Sequence, residues 1–551
     1  MLKSFLSATA LVIGLSASAA AKEYLASQED VGAGDCSNAA NACDLDQAIS
    51  LATSPGDIIT LLPGTFSGNK TLTADGTSGN PITLRATNYA VICPDAENDP
   101  DGCEVNTAGT SNLNLSITLD NADWWVFEGI EIRSIICDNR STSGVLRYSH
   151  LKTGELQRAG NTFRMDPGCD HWLVEHNYWS SLTPWTTGGH DTPPGDYGIA
   201  MYWASNNTFR NLYFGGNSNH AISIKRGGTN NAFDRIVCES FADAQCIILG
   251  QEVDGTNFAS QSPTSCPNAI RNDGTTATIT DQTTQNVIIT NVFARHGVFE
   301  DPDPPSKRTR AALMIDNARN VTVRNLFSAV PSHTSGSRNI WFRNVGAASG
   351  QEGGRCGVER GNISIRGAIL VATDANNGCI VMSSLGESPA TTTLENIVCY
   401  NAGASGSAGV RFTNGVLNFD FGSGAWETQL APDTTVRNSV FSDCKSAFSG
   451  AGNAISLSQS FNNVFGCGTL SGTGNQSVDP NFTGPSLTVP VVDLDNRFVD
   501  GARLWDWEGT YLPIIKQFVT EQASFMGAGT GNEAPGGGTR NIGANESFHM
   551  E

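Results

Sequence analysis

The stretch that decides the fold is Val287-Ile-Ile-Thr-Asn-Val-Phe293, because its pattern returns at Val321-Thr-Val-Arg-Asn-Leu-Phe327. The second copy alternates apolar with polar residues, which is typical of a half-buried β-strand, and in both copies an asparagine follows. From about residue 121 onward such segments recur at irregular spacings of roughly 24 to 42 residues. A unit this short cannot bury its apolar face alone, so we expect the copies to stack.

A second series of short strands lies between the copies of the first. Its members cover residues 198–202, 221–225, 246–250, 312–316, 379–383 and 409–413. Two alternating series, high glycine content and few helical periodicities predict an all-β fold, a right-handed parallel β-helix with short capping helices. A β-sandwich array is the alternative architecture. The repeated asparagines are expected to form an internal amide ladder at one turn of each coil.

The sequence predicts four consecutive segments. They are a signal peptide over residues 1–21, an amino-terminal cap with the first coils over 22–120, the β-helix body over 121–476, and closing coils with a tail over 477–551. A helix over residues 45–52 is expected to shield the first coil from edge-to-edge pairing. An amphipathic helix over residues 514–525 is expected to cap the open end.

The amino terminus has the features of a secretory signal. Lys3 precedes an apolar stretch over residues 5–15, and Ala19 to Ala21 form a small-residue cleavage site. No later run approaches the roughly 20 apolar residues that a spanning helix needs. We therefore expect a secreted monomer, extracellular or periplasmic, with no membrane as its partner.

Fourteen cysteines in an exported chain predict disulfides between neighbouring loops. The pairs expected first are Cys36 with Cys43, Cys93 with Cys103, Cys238 with Cys246, and Cys444 with Cys467. A metal site on cysteine is disfavoured, because the sequence has no Cys-x-x-Cys pair.

The formal net charge of −21 at pH 7 argues against nucleic acid as the main partner. An anionic ligand then requires a local cluster of positive charge. Bound calcium is one way in which acidic extracellular proteins offset such charge, so calcium is the one cofactor considered. Simple solubility in salty surroundings is the alternative reason for the charge.

The candidate site lies in the stretch Ile222-Ser-Ile-Lys225-Arg226. Strand alternation predicts that Ile222 and Ile224 are buried and that Ser223 and Lys225 stand outward on the surface of a rigid sheet. Two adjacent cations on an acidic protein suggest a site for an anionic sugar. A solvated surface lysine is the alternative interpretation.

Eliminative cleavage of a uronic acid polymer needs a base for the C5 proton, positive charge for the carboxylate, and an acid near O4. Lys225 is predicted as the base, with Arg226 beside it disfavouring the ammonium form. Tyr202, one coil earlier, is expected on the same outward column and can donate to the leaving oxygen. His220, which begins the strand of Lys225, is the competing base.

Further residues are expected to bind the polymer or to assist Lys225. They are Arg235, Arg295, His296, Lys307, Arg308, Arg310 and Trp203. Residues 299–310 form a proline-stiffened loop with a basic end, and long loops on a rigid scaffold usually bind something. Aromatic rings can stack on sugar faces. The alternatives are a solvated charge run and aromatic residues that fill the core.

Residues 55–66, 76–86 and 124–130 together resemble the opening coils of parallel β-helix polysaccharide lyases of the chondroitinase B and alginate lyase type. The resemblance covers roughly the first 240 residues and implies the fold more than the substrate. These families place a catalytic lysine in a strand similar to residues 222–226, followed by an asparagine-bearing turn similar to Asn230-Asn231. The resemblance thus implies Lys225 as the base.

The chain departs from that family pattern at two places. Where the family has Arg-His-Gly on the next coil, this chain has Leu249-Gly-Gln251, and its own Ala294-Arg-His-Gly297 comes later. Where the family has an acidic calcium ligand before the lysine, this chain has Asn217-Ser-Asn-His220.

The residues and the resemblance together predict a lyase that cleaves a uronate polymer by β-elimination. A C5-epimerase would share the fold and the first proton abstraction. A hydrolase needs two carboxylates about 5 to 10 Å apart, and the Asp-Asp cluster of β-helix polygalacturonases is not found in the sequence. A non-catalytic glycan-binding or adhesin solenoid is the alternative of a different class.

Overall fold

The structure is a computed structural model and describes most of the chain between residues 21 and 516. The described residues are 21–87, 111–138, 140–153, 161–181, 197–215, 220–239, 245–250, 269–270, 276–277, 284–295, 311–315, 318–330, 338–342, 361–372, 378–382, 391–412, 418–420, 425–427, 433–451, 456–480, 482, 507 and 511–516.

Within these residues the chain forms short β-strands and two helices. The strands of the amino-terminal half are β1 Glu23–Ala26, β2 Ile58–Leu61, β3 Gly64–Leu72, β4 Ile82–Ala86, β5 Ser111–Asp120, β6 Trp125–Glu128, β7 Glu131–Asp138, β8 Val145–Arg147, β9 His150–Thr153, β10 Asn161–Met165, β11 Leu173–Ser181, β12 Tyr197–Tyr202, β13 Thr208–Phe214, β14 His220–Arg226, β15 Ala232–Glu239 and β16 Gln245–Leu249.

The remaining strands are β17 Ala269–Ile270, β18 Thr276–Ala277, β19 Thr284–Arg295, β20 Ala311–Ile315, β21 Ala318–Val330, β22 Arg338–Phe342, β23 Gly361–Ala372, β24 Ile380–Met382, β25 Thr391–Phe412, β26 Asn418–Asp420, β27 Ala425–Glu427, β28 Asp433–Arg437, β29 Val440–Ser449, β30 Leu457–Ser460 and β31 Asn463–Phe465. The helices are α1 Leu45–Leu51 and α2 Leu512–Lys516.

Twenty-seven strands pair in parallel with the strands of the coils before and after them. The coil from Ala232 to Leu249 shows the plan. Residues 232–234 belong to sheet 1, residues 236–239 to sheet 2 and β16 to sheet 3, and each pairs with the same sheet of its neighbouring coils. The fold is therefore the predicted right-handed parallel β-helix.

Alternate residues of each strand enter one continuous apolar core. On sheet 3, Ile222 and Ile224 of β14 pack in register between Ile199 and Met201 of β12 and the next coil, all fully buried. Stacking these coils buries the apolar faces that no single coil could cover.

In several coils asparagines mark two corners, where the chain needs a positive φ that asparagine tolerates better than most residues. Between sheets 1 and 2 lie Asn211, Asn291, Asn325, Asn396 and Asn438, with φ between 51° and 56°. Asn325 Nδ2 donates to Asn291 Oδ1 at 2.9 Å. The recurring asparagine of the sequence is thus a corner residue.

A second asparagine ladder runs along the corner between sheets 3 and 1. The Nδ2 atoms of Asn230, Asn286, Asn320 and Asn362 donate to the Oδ1 atom of the preceding asparagine, the first acceptor being Asn206, at 3.1 Å in every step. These side chains are exposed, so this ladder is distinct from the internal one predicted for the recurring asparagines, among which Asn396 and Asn438 are buried. The side-chain amides of this ladder hydrogen-bond to one another at the surface.

Five disulfides lie within the described residues. Three are predicted pairs: Cys36 with Cys43, Cys238 with Cys246, and Cys444 with Cys467. The other two, Cys137 with Cys169 and Cys379 with Cys399, were not predicted; their partners are 32 and 20 residues apart. The predicted pair Cys93 and Cys103 lies outside the described residues.

The first predicted helix is present. Of the second, predicted over residues 514–525, the structure describes only residues 514–516, which belong to a helix that starts at Leu512. Helix α1 begins after Asp44, whose side chain accepts from the backbone N–H of Gln47, and it packs on the first coil as expected. Helix α2 spans Leu512–Lys516 and does not cap the open end. The ring of Tyr511 lies 4.9 Å from that of Phe293, so α2 covers the outer face of sheet 2 in the middle of the stack.

The signal peptide and the predicted segment boundaries stay predictions. Residues 1–20 and most of the segment from 477 to 551 lie outside the described residues. Among the helices that the structure describes, none is long and apolar enough to cross a membrane.

Candidate functional site

Lys225 lies near the end of β14 with its ammonium group against an aromatic ring. Its Nζ atom is 5.5 Å from the centroid of the Tyr202 ring on the preceding coil. The strand register shifts after Met201, so that Tyr202 pairs with Arg226 instead of Lys225. The predicted neighbourhood of Tyr202 and Lys225 is present, because each follows a core-facing residue, Met201 or Ile224, that is in register with the other.

The side chain of Lys225 is more enclosed than the sequence predicts. Only 7% of Lys225 is exposed, and Ser223, also predicted to point outward, is fully buried. The apolar core beneath them is made by Ile222 and Ile224. Contact with the half-buried Tyr202 ring places the ammonium group outside that core, in a largely desolvated position.

Arg164 brings a second cation to the same ring. Its guanidinium carbon lies 5.5 Å from the Tyr202 centroid, on the coil before Tyr202. The Nε atom of Arg164 donates to the buried carboxylate of Asp166 at 2.9 Å. Tyr202 therefore lies close to two cations, and Arg164 also pairs with Asp166. Cation–π contacts of this kind are stronger when desolvated.

A column of polar residues explains how these groups meet. Asp120, Asp138, Asp166, Tyr202 and Lys225 each follow the last core-facing residue of their sheet 3 strand, and those core-facing residues are in register. Arg164 and Asp166 were not predicted as site residues from the sequence. The signal that could have found Asp166 is its position directly after Met165, which corresponds to Tyr202 after Met201.

His220 lies at the other end of β14. Its Nδ1 atom accepts a hydrogen bond from the backbone N–H of Gln245 on the next coil at 3.4 Å. His220 and Lys225 are five positions apart on β14, so their Cα atoms are separated by roughly 17 Å. His220 and Lys225 therefore cannot act on the same substrate atom.

Arg295 does not lie beside Lys225. It ends the sheet 2 part of β19, where its Nη2 atom donates to Glu239 Oε1 at 3.0 Å. The other oxygen of this buried carboxylate accepts from the Tyr213 hydroxyl at 2.9 Å. The proposed assistance of Arg295 to Lys225 is wrong in its geometry, because the two residues lie in different sheets.

Arg235 and Trp203 also do not lie where the sequence analysis expected them to bind the polymer or to assist Lys225. Arg235 occupies the corner between sheets 1 and 2 with a φ of 53°, at the far end of a sheet 1 strand from Lys225. Trp203 follows β12 and is buried, so its indole is not an exposed stacking platform. The side chain of Arg226, and all of His296, Lys307, Arg308 and Arg310, lie outside the described residues.

His176 is the titratable group near Arg235 with an altered pKa. Burial lowers the pKa of His176, and the guanidinium groups of Arg210 and Arg235 add to this, whereas Glu175 acts in the opposite direction. The ring Nε2 atom lies 3.1 Å from Asn211 Nδ2. His176 thus substitutes for an asparagine in the corner ladder.

Calcium has no ligand set that can be named. Among the described residues, no group of three or more His, Cys, Asp or Glu side chains is arranged to hold a metal ion. No step of the chemistry below involves a metal.

The fold defines a parallel β-helix protein. No protein-family model matches the chain, and no curated protein matches it. Among solved structures it is similar to the pectate lyase Pel9A, with 13% identity over 95% of this chain and 96% of that chain at a TM-score of 0.36.

Two further solved structures are similar over much of the chain. A mannuronic acid specific family 6 polysaccharide lyase from human gut microbiota has 9% identity over 90% of this chain and 98% of that chain, with a TM-score of 0.37. The catalytic domain of a GH87 α-1,3-glucanase has 11% identity over 78% of this chain and 66% of that chain, with a TM-score of 0.34.

Proposed function

We propose that the chain is a polysaccharide lyase that cleaves a uronate-containing polymer by β-elimination, with Lys225 as the base. The observation that supports this most directly is the enclosed amine of Lys225 lying 5.5 Å from the Tyr202 ring. The choice of polymer class rests on the cations at this position and on the sequence resemblance.

The groups around Tyr202 can complete a reaction cycle. The neutral amine of Lys225 removes the C5 proton of the uronate, while Arg164 neutralises the substrate carboxylate on which charge develops. The C4–O4 bond then breaks, its electrons follow the leaving oxygen, and the C5 electron pair forms the C4=C5 double bond. The Tyr202 hydroxyl protonates O4, and the ammonium group of Lys225 returns the proton to the tyrosinate.

The surroundings of Lys225 act on its charge in two directions. Removal of the amine from water favours the neutral form that a base requires. The Tyr202 ring and the substrate carboxylate favour the ammonium form. A bound polymer covers the site and removes more water, so we expect the base to be formed in the complex.

The aspartate column supports a second candidate function, glycoside hydrolysis. Asp138 and Asp166 follow paired residues of β7 and β10, so their Cα atoms are about 4.8 Å apart. Retaining hydrolases use two carboxyl groups about 5 to 5.5 Å apart, a separation that side chains at neighbouring positions of adjacent coils can reach. The ion pair of Asp166 with Arg164 favours the lyase, because it already engages one of the two carboxylates.

The test is the ultraviolet absorbance of unsaturated uronates with alginate, pectate, glucuronan and glycosaminoglycans in turn. We expect a signal with at least one polymer, and Lys225→Ala should reduce it by about 10²- to 10⁴-fold. Lys70→Ala is the matched control, since Lys70 pairs with Asp46 near the amino-terminal cap, far from β14. A blank across the panel with folded protein, or equal activity of the Lys225→Ala variant, would refute the proposal.

A further inference from the structure

One column of outward side chains runs along sheet 1, next to its corner with sheet 2. Six consecutive positions of this column are Arg85, Glu128, Arg147, Glu175, Arg210 and Asp234, each in register with the next. Arg147 pairs with Glu128, and Arg210 Nη2 lies 2.6 Å from Glu175 Oε2. Three arginines face three carboxylates, so the formal charge of this stretch is zero.

Farther along the same column, arginines outnumber carboxylates. The next five positions are Thr290, Arg324, Arg366, Glu395 and Arg437. Three arginines face one glutamate, which leaves a formal excess of two positive charges on a chain whose net charge is −21. The buried Glu395 is already shared, with Nη2 of Arg366 at 3.0 Å and Nη2 of Arg437 at 3.3 Å.

Arg324 is the arginine of this column that has no carboxylate. Its side chain is exposed, and within the described part of the chain it makes neither an ion pair nor a hydrogen bond. It is in register with Arg366 on the next coil, about 4.8 Å away between Cα atoms. Like charges opposite each other destabilise a sheet, so folding stability does not explain this position.

The face around Arg324 is open to solvent and polar. Ile288, in the neighbouring column two coil positions before Ser364, is 52% exposed, so none of the residues that the structure describes covers it. The hydroxyl groups of Thr322 and Ser364 lie in that neighbouring column, and the exposed Asn286 and Asn320 amides border it. Hydroxyl and amide groups beside a guanidinium are suited to bind sugar hydroxyls and a carboxylate.

We propose that the outer face of sheet 1 around Arg324 binds a polyuronate chain through a sugar carboxylate. The choice of polyuronate rests on the proposed function. The surface is separate from the Lys225 site, because Lys225 ends a strand of sheet 3 before the Asn230 corner. Arg324 lies two coils farther along, about 10 Å up the stack, at the opposite edge of sheet 1. A long polymer that contacts both surfaces binds more tightly than a short one.

The test measures binding without turnover, in the Lys225→Ala variant. Affinity electrophoresis and calorimetry are run with alginate, pectate and glucuronan, and with neutral dextran and a sulfated glycosaminoglycan as comparisons. Arg324→Glu should weaken binding to a polyuronate at least about 10-fold, which is about 1.4 kcal/mol. The new carboxylate can pair with Arg366, so this variant is expected to keep its thermal unfolding midpoint.

Lys445→Glu is the matched control, because it changes the net charge equally at an exposed lysine of β29, away from sheet 1. It should leave the affinity within about 2-fold of the parent. The proposal is overturned if no polyuronate binds the parent, if Arg324→Glu binds as tightly as the parent, or if both variants lose affinity equally. Stronger retention by dextran or by the sulfated polymer also overturns it.

The binding result can refute this inference without refuting the lyase proposal, and the reverse is also true. The absorbance assay on the wild-type chain reports elimination, whereas the comparison of Arg324→Glu with its Lys225→Ala parent reports the contribution of the sheet 1 surface to binding. A protein that binds polyuronates through Arg324 without eliminating them would keep this inference and refute the lyase.

Discussion

Glu239 joins two coils of sheet 2 by accepting from Arg295 Nη2 at 3.0 Å and from the Tyr213 hydroxyl at 2.9 Å. The carboxylate is buried, and so is most of the Arg295 side chain. Removing one partner of a buried pair leaves an uncompensated charge. The first prediction concerns this pair.

Glu239→Ala should lower the free energy of unfolding by about 3 to 5 kcal/mol, because Arg295 then stays buried without a counter-charge. Chemical denaturation followed by circular dichroism measures the change. The double variant Glu239→Ala with Arg295→Met should recover a large part of the loss. If the double variant is less stable than the single one, the pair is not the cause.

Tyr202→Phe should lower kcat/KM on the responsive polyuronate by about 10²- to 10⁴-fold, since the ring stays but the acid for O4 is lost. The contacts of Lys225 and Arg164 with the ring are preserved, so the thermal midpoint should not change. Full activity of a folded Tyr202→Phe variant would remove the hydroxyl from the mechanism.

Asn286→Ala should destabilise the chain by about 2 to 4 kcal/mol. The variant loses the amide bonds to Asn230 and Asn320 and forces alanine into a φ of 53°. Asn286→Gly tolerates the backbone angle and loses only the bonds, so it should cost less than the alanine variant. Equal stability of all three proteins would show that the exposed ladder does not stabilise the stack.

His176→Asn should make the stability less dependent on pH. Burial depresses the pKa of His176 in the folded chain below the usual 6.5. The stability linked to the neutral ring is therefore present above pH 6.5 and is lost as the pH falls through the folded pKa. The thermal midpoint of the variant, relative to wild type, should rise from pH 8 to pH 5. The same difference at both pH values would contradict this assignment.

The repeated pattern of the sequence predicted the fold well because it reports local geometry. The asparagine in the stretches around Asn291 and Asn325 follows from the positive φ at a corner, and alternation in β14 follows from the strand period. The meeting of Tyr202 and Lys225 was also predictable, because one coil separates them.

The sequence could not place residues among the three sheets. Arg295 was predicted to assist Lys225. Because loops of different length connect the strands, the sequence does not show to which of the three sheets a given residue belongs. Arg164 was missed because its strand belongs to neither repeated series. The charge imbalance around Arg324 becomes visible only when the register of all sheet 1 strands is known.

The most direct test of the central claim is proton NMR of the products formed from the responsive polyuronate. The account predicts products with a C4=C5 double bond at the new non-reducing end from the wild-type and Lys70→Ala proteins. It predicts no such products from Lys225→Ala. Saturated ends would indicate hydrolysis and contradict the account, and so would C5 inversion without chain cleavage.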